Sequence, residues 1–330
     1  MTAGRVAAVG IVAMTLAGSA ASTLPAYSHG QTLRLDGLGG VAFDAETARL
    51  WVATRRGLVV VSSGTAPVVS EPSAMTVTAA SNVGDLELAA NLRRLFFVQE
   101  GDRVAYIDLN RPAEPIGIGR VHRVRDLVYE PVRRELFAFT ATSDLVVLNA
   151  VTGKPVRPIT LPGLDGRTPV AAAGQIYLTL GGERGVFRID GTTRAVTRVE
   201  TLGEDTPHAI EVDHANGRLF LAYPRRISAV DIASGTELGR HATLTEAAIA
   251  YDPGTGLLVA TNPAPPMSLE TFRVTASGLE PVERLNWVAP GLSWLEPTLH
   301  GFVQRGEATS TTGTSPAGHT DTLLVWKSRS

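Results

Sequence analysis

Short apolar runs alternate with polar turns along most of the chain, in a unit that occurs seven times. Each unit holds a first apolar run, an acidic turn, a second run, and a third run that usually ends in Asp or Asn. Short apolar runs bounded by turn-forming residues predict strands rather than helices. The first runs begin about 40 residues apart, a spacing that indicates one repeated structural unit. Their aligned residues are Val41, Leu86, Leu127, Val170, Ile210, Ile249 and Ser293.

A period of this length is typical of propeller blades, each an antiparallel sheet of four strands. The seventh unit ends near Trp326 with its third strand, and residues 32–35 precede the first unit where a fourth strand would stand. We therefore predict an all-β fold, a seven-bladed β-propeller of four-stranded blades, whose N-terminal strand pairs into the last blade and closes the ring. Closure would leave only short, protected strand edges.

The first residues have the pattern of a secretory signal. Arg5 precedes an apolar stretch over 6–16, and small residues follow at 18–22. Such a pattern predicts a cleaved signal peptide over 1–28 and a single propeller domain over 31–330. An uncleaved membrane anchor is the alternative, but the apolar stretch is short for a span of about 20 residues. We expect a periplasmic or secreted protein that is not stably inserted in a membrane after cleavage.

The composition excludes several kinds of site and partner. The chain has no Cys, which excludes disulfides, thiolate metal sites, lipoprotein anchoring and covalent haem attachment. A net charge of -2 and 6% aromatic residues argue against nucleic acid as a partner. No phosphate-binding or dinucleotide-binding motif is present. The expectation is a monomer without cofactor or metal.

Two segments carry a resemblance to a known family. Residues 50–61 read LWVATRRGLVVV and residues 219–231 read LFLAYPRRISAVD. They resemble the YVTN-type repeat of exported bacterial seven-bladed propellers, although no unit spells Tyr-Val-Thr-Asn and LVATN at 258–262 is the nearest. The resemblance implies the fold and export. The family includes proteins that accompany quinoprotein systems and relatives of lactonases, so it implies no single activity.

Fold-level analogy places function at one mouth of the central channel. The loops there are those that lead into first strands and those that join second to third strands. Arginine in a concave mouth suits a carboxylate or phosphate, because its planar fork can bind two oxygens. We therefore predict a binding or scaffold protein that holds a small anionic ligand or a partner protein at the mouth. Its candidate ligand-binding residues are Arg55, Arg56, Asp85, Arg125, Asp126, His208, Arg225 and Arg226.

Simpler interpretations and one alternative function stay open. The basic loops also fit an ordinary solvated rim. The alternative is a lactonase-like or other small-molecule enzyme that uses His208 with Asp85 or Asp126, since imidazole can transfer protons near neutral pH. Asp85 and Asp126 come from neighbouring units but His208 from a distant one, whereas nucleophilic catalysis needs its groups within about 3 Å. A Gly/Ser/Thr-rich insertion over 304–319 is either functional or disordered.

Overall fold

The computed structural model describes residues 27–328 with internal gaps at 37, 45, 48, 55–56, 63–82, 100–101, 112–114, 143, 200–204, 244–246, 253–254, 263–267, 276–277, 287–291, 299–300 and 308–319. Apart from one 3-10 turn, Ala90–Leu92, the assigned elements are strands. The strands are β1 (Tyr27–Asp36), β2 (Leu38–Asp44), β3 (Arg49–Thr54), β4 (Gly57–Ser62), β5 (Val83–Ala89), β6 (Arg94–Gln99), β7 (Arg103–Asp108), β8 (Ile116–Arg120), β9 (Val124–Glu130), β10 (Glu135–Thr140), β11 (Asp144–Asn149), β12 (Ile159–Thr160), β13 (Leu164–Ala172), β14 (Gln175–Gly181), β15 (Phe187–Asp190), β16 (Val196–Arg198), β17 (Ala209–Asp213), β18 (Arg218–Tyr223), β19 (Arg226–Asp231), β20 (Glu237–Ala242), β21 (Ile249–Asp252), β22 (Leu257–Asn262), β23 (Ser268–Thr275), β24 (Gly278–Asn286), β25 (Leu292–Thr298), β26 (Gly301–Glu307) and β27 (Thr320–Ser328).

The strands form antiparallel sheets, most of them with four strands in the order of the chain. The four-stranded sheets are β5–β8, β9–β12, β13–β16, β17–β20, β21–β24, and β25–β27 joined by β1. Within the described residues, β2–β4 form a sheet of three strands. The fold is thus all-β and propeller-like, as the sequence predicted.

The hydrophobic core lies between neighbouring sheets. Second strands are buried along their length, as in β10, where Leu136, Phe137, Ala138 and Phe139 are all inaccessible to solvent. Since both faces of such a strand are covered by neighbouring sheets, its sequence is a continuous apolar run rather than an alternating one. One apolar cluster, for example, joins Phe97 of β6 to Trp51 of β3.

Acidic residues at the ends of first strands shape the turns that follow. Buried Glu130 accepts hydrogen bonds from the backbone N–H groups of Val132 and Arg133, at 2.9 and 2.8 Å. Asp44, in the same position of β2, accepts from the Thr47 hydroxyl at 2.6 Å. The repeated acidic residue is therefore a turn-forming group, as its position before a short turn indicated.

Arginines at these turns and at the outer turns connect neighbouring sheets on one face of the molecule. Arg93 binds both carboxylate oxygens of Asp44 on the preceding sheet, at 2.7 and 2.9 Å. Arg194 contacts Glu135 at 2.5 Å, and Arg133 donates to the carbonyl of Gly174 at 3.0 Å. This face lies opposite the loops that were predicted to be functional.

The first strands contact one another in chain order, from β2 and β5 through β21 and β25, and β25 also contacts β2. The first and the last described strands pair in the last sheet. There β1 pairs antiparallel with β27, so that Thr32 lies opposite Leu324 and Leu35 opposite Asp321.

Two predictions about chain segments have different outcomes. The prediction of an insertion over 304–319 is wrong about where the insertion begins, because β26 continues to Glu307 and pairs there with Asp321 of β27. Its remainder, 308–319, lies outside the described residues, as does nearly all of the signal peptide expected over 1–28. Within the described part of the chain, no helix has the length and hydrophobicity needed to cross a membrane.

Candidate binding site at the channel mouth

The loops that were predicted to share one face do contact each other. The loop between β14 and β15 donates from Gly185 N–H to the Thr206 hydroxyl, at 3.1 Å, in the segment that leads into β17. Between β6 and β7, the carbonyl of Asp102 accepts from Val121 N–H, at 2.8 Å, in the segment that leads into β9. We call this face, with its opening between the first strands, the mouth.

Carboxylates on β5 hold the neighbouring first strand. Asp85 accepts a hydrogen bond from the backbone N–H of Leu127 at 2.7 Å, and Glu87 accepts one from the backbone N–H of Tyr129 at 2.8 Å. Both donors belong to β9, whose channel-side edge has no strand beside it in its own sheet. The two carboxyl groups therefore satisfy backbone donors that the sheet itself leaves without partners.

The same arrangement recurs between β17 and β21. Glu211 of β17 accepts from the backbone N–H of Tyr251 on β21. His208, just before β17, lies 2.8 Å through Nε2 from the carbonyl oxygen of Ala247, just before β21. Because a carbonyl can only accept, Nε2 carries the proton. The other ring nitrogen, Nδ1, is buried and has no partner in the described protein, so a bound group that reached it would find an unsatisfied polar atom.

The channel carboxyl groups hold their protons unusually tightly. Burial raises the pKa of Asp85 to about 8, helped by the nearby charge of Asp126, against the lowering effect of the hydrogen bond from Leu127. Burial also raises the pKa of Glu87 to about 8 and that of Glu211 to about 8. All three residues keep part of their surface accessible to solvent, and this reduces the effect of burial on their pKa values.

These pKa values predict that the protein loses stability as the pH rises. Between pH 6 and 8 the native state retains a proton on Glu211 that the unfolded chain, with an ordinary glutamate pKa, has lost. The stabilisation by this group is complete below the pKa that Glu211 has in the unfolded chain. It is lost as the pH rises through the pKa that Glu211 has in the folded protein. We expect Glu211→Gln, which keeps the acceptor but cannot ionise, to gain about 1 to 2 kcal/mol over wild type at pH 9 and little at pH 5. Urea unfolding at both values measures this, and parallel pH profiles would contradict it.

The predicted arginines differ in their surroundings. Arg226 forms an ion pair with Asp205 at 2.8 Å, and its guanidinium carbon lies 4.0 Å from the centre of the Tyr223 ring. Arg125 and Arg225 are exposed on the mouth. Arg55 and Arg56 lie outside the described residues. Both residues are therefore accessible to an anion at the mouth.

The structure places Asp85 and Asp126 near each other and His208 elsewhere. The charge of Asp126 acts on Asp85 across adjacent strands. His208 adjoins β17, whose first-strand neighbours are β13 and β21, whereas those of β5 are β2 and β9. Within the described residues, no group of three His, Asp or Glu side chains is arranged to hold a metal ion.

Several polar residues of the mouth and channel were missing from the predicted site. Glu87 stands two residues after Asp85 on the same strand and therefore on the same face, so strand alternation could have identified it. Glu211 directly follows the alignment residue Ile210, as Glu87 directly follows the alignment residue Leu86. Asp205 had no sequence signal, because only the fold brings it to Arg226.

No family model and no curated protein matches this sequence. By structure, the chain is similar to a chain in the crystal structure of the mitotic checkpoint complex, with a TM-score of 0.68, 12% identity, and coverage of 96% of this chain and 98% of that one. It is similar to the WD40 repeats of RRP9, with a TM-score of 0.66, 9% identity and coverage of 90% and 97%. It is also similar to the Cps50 (Swd1) β-propeller domain of Myceliophteria thermophila, with a TM-score of 0.66, 13% identity and coverage of 92% and 99%.

The fold is a β-propeller. Identities this low establish the architecture alone, and function has to be inferred from this chain's own residues.

Proposed function

We propose that this protein is a binding or scaffold propeller that holds a small anionic ligand or a partner protein at its mouth. The observation that carries the proposal is the contrast between two sets of polar groups. Asp85 and Glu87 satisfy backbone groups of the next strand, whereas Arg125 and Arg225 are exposed on the mouth. Exposed guanidinium groups around one opening attract anions.

The same contrast favours binding over catalysis. A lactonase-like enzyme would need a base that is close to its substrate and to a second group. Of the alternative catalytic set, His208 donates from Nε2 to Ala247, and Asp85 accepts from Leu127. Each group thus already contacts the next unit of the fold. Asp85 on β5 and His208 just before β17 are also not on neighbouring first strands.

The proposal includes an architecture and a location. A seven-bladed ring closed by β1 accounts for the contact of β25 with β2 and for the pairing of β1 with β27. A relationship to the YVTN-type exported propellers, and a monomer in the periplasm or outside the cell, follow from the repeat pattern and from the signal-like residues 1–28. The N-terminal residue of protein recovered from the cell envelope or medium tests the export.

Replacing the two exposed mouth arginines should weaken anion binding without unfolding the protein. We expect Arg125→Gln with Arg225→Gln to reduce the affinity for citrate or inorganic phosphate at least tenfold, since each lost charged contact contributes about 1.5 to 3 kcal/mol. Isothermal titration calorimetry at low salt measures the affinity. A matched control, Arg111→Gln with Arg157→Gln, removes two exposed arginines elsewhere and should bind like wild type.

Three outcomes would contradict the proposal. Wild type that binds neither these anions nor an acidic peptide has no anion site at the mouth. Equal loss in the control pair would show a general charge effect. Lactone hydrolysis that disappears in the His208→Ala protein would replace binding with catalysis.

A further inference from the structure

One radial segment of the mouth concentrates positive charge. Residues 120–125 read RVHRVR and lead from the outermost strand β8 to the first strand β9. Arg120, His122, Arg123 and Arg125 are all exposed. Because the segment runs from the rim to the channel, these side chains form a strip across the mouth. We call them, together with exposed Arg103, the basic strip.

The strip is held rigidly by its intervening residues. Val121 and Val124 are buried in the apolar cluster between the β5–β8 and β9–β12 sheets. The backbone of Val121 donates to Asp102 at 2.8 Å, and the carbonyl of Arg123 accepts from Ala141 at 2.9 Å. Arg123 has a φ of 57°, a conformation that few residues other than Gly and Asn adopt readily. Its position is therefore fixed before any ligand arrives.

Like charges lie side by side within the strip. Arg103 and Arg120 lie directly opposite each other on β7 and β8, and like charges in such a pair are destabilising. In the described part of the chain, no ion pair joins Arg103, Arg120, His122 or Arg123 to a carboxylate. By contrast, Arg226 on the same face is paired with Asp205. A strip of like charge that costs stability points to a partner that neutralises it.

We propose that the basic strip binds an extended acidic segment of a partner protein, which lies radially across the mouth with one end at the channel. The segment would contact up to about 16 Å of the strip, the reach of five residue intervals. This inference rests on the proposed function and names the partner. A protein segment fits better than a nucleic acid, because exposed aromatic groups on which bases could stack are absent from residues 120–125.

A peptide-binding experiment tests the strip. The probe is a fluorescein-labelled eight-residue peptide that alternates aspartate and glutamate, measured by fluorescence anisotropy in 50 mM and 200 mM salt. The variant is Arg120→Ser with Arg123→Asn, since Asn tolerates positive φ. We expect at least tenfold weaker binding in the variant, and weaker binding of wild type at the higher salt because salt screens exposed charges. Arg111→Ser with Arg157→Asn is the matched control and should bind like wild type, and circular dichroism should show both variants folded.

The outcomes separate this inference from the proposed function. If the strip variant binds the peptide as well as wild type does, the proposal of the strip is overturned. The anion site at the mouth then still stands if Arg125→Gln with Arg225→Gln weakens the binding of citrate. If wild type binds neither the peptide nor citrate, both the basic strip and the anion site at the mouth are overturned. A single-stranded oligonucleotide of equal charge that binds more tightly than the peptide, and loses affinity in the strip variant, overturns the assignment to a protein partner. Should the strip variant unfold, Arg120→Lys with Arg123→Lys, which keeps the charges, must bind the peptide if the strip is correct.

Discussion

A protein that lacks β1 should melt about 10 °C or more below the protein that keeps it. In the last sheet β1 is the outermost strand, and nine of its residues are paired with β27. Removing it exposes the edge of β27 and deletes several backbone hydrogen bonds, each with a net contribution of about 1 kcal/mol. A change of 1 kcal/mol shifts the melting temperature of a chain of this size by roughly 1.5 to 2 °C.

Differential scanning calorimetry on two truncations measures the contribution of β1. One begins at residue 27 and retains the strand, and the other begins at residue 37 and lacks it. Comparing them removes any effect of residues 1–26. Equal melting temperatures would show that β1 adds nothing to the last sheet and would count against a ring closed there.

Loss of the Arg93 side chain should destabilise the protein by about 3 kcal/mol, or roughly 5 °C in melting temperature. Arg93 is 14% exposed and Asp44 only 2%, and the guanidinium binds both carboxylate oxygens. Although burial alone would raise the pKa of Asp44, hydrogen bonds from Arg93 and Thr47 and the Arg93 charge hold it below its ordinary value. In Arg93→Ala this carboxylate would remain buried and charged without its partner. Thermal and urea unfolding at pH 7 measure the loss.

The chain provides a close control in Arg134. Both residues have positive φ, 51° for Arg93 and 56° for Arg134, and both give their carbonyl to a backbone N–H, of Leu109 and Ala150 respectively. Arg134 is exposed. Arg134→Ala should therefore cost less than about 1 kcal/mol. If the two variants were equally destabilised, the effect would come from the backbone conformation and not from the contact with Asp44.

The candidate site was predictable only as far as single strands reveal it. The sequence placed Asp85, Arg125, Asp126, His208 and Arg225 beside first strands or in the loops of one face, and the loops of that face do contact each other. Which of these groups already have partners was not predictable. Asp85 and His208 bind backbone atoms about 40 residues further along the chain, in the next unit. The periodic pattern gives the spacing of the units in the sequence, but not the distance in space between a side chain and the backbone of the next unit.

The sequence by itself determined the repeated unit, the strands and the turns between them. Those features depend on local chemistry: apolar runs suited to a buried sheet, an acidic side chain that binds the next turn, and Gly or Asn where the chain reverses. Only the tertiary structure decided how far β26 extends, that Arg93 rather than Arg134 joins two sheets, and that the channel carboxyl groups hold their protons to a pKa of about 8. The length of β26 depends on its pairing with β27, and the other two features depend on which side chains packing brings together from neighbouring sheets.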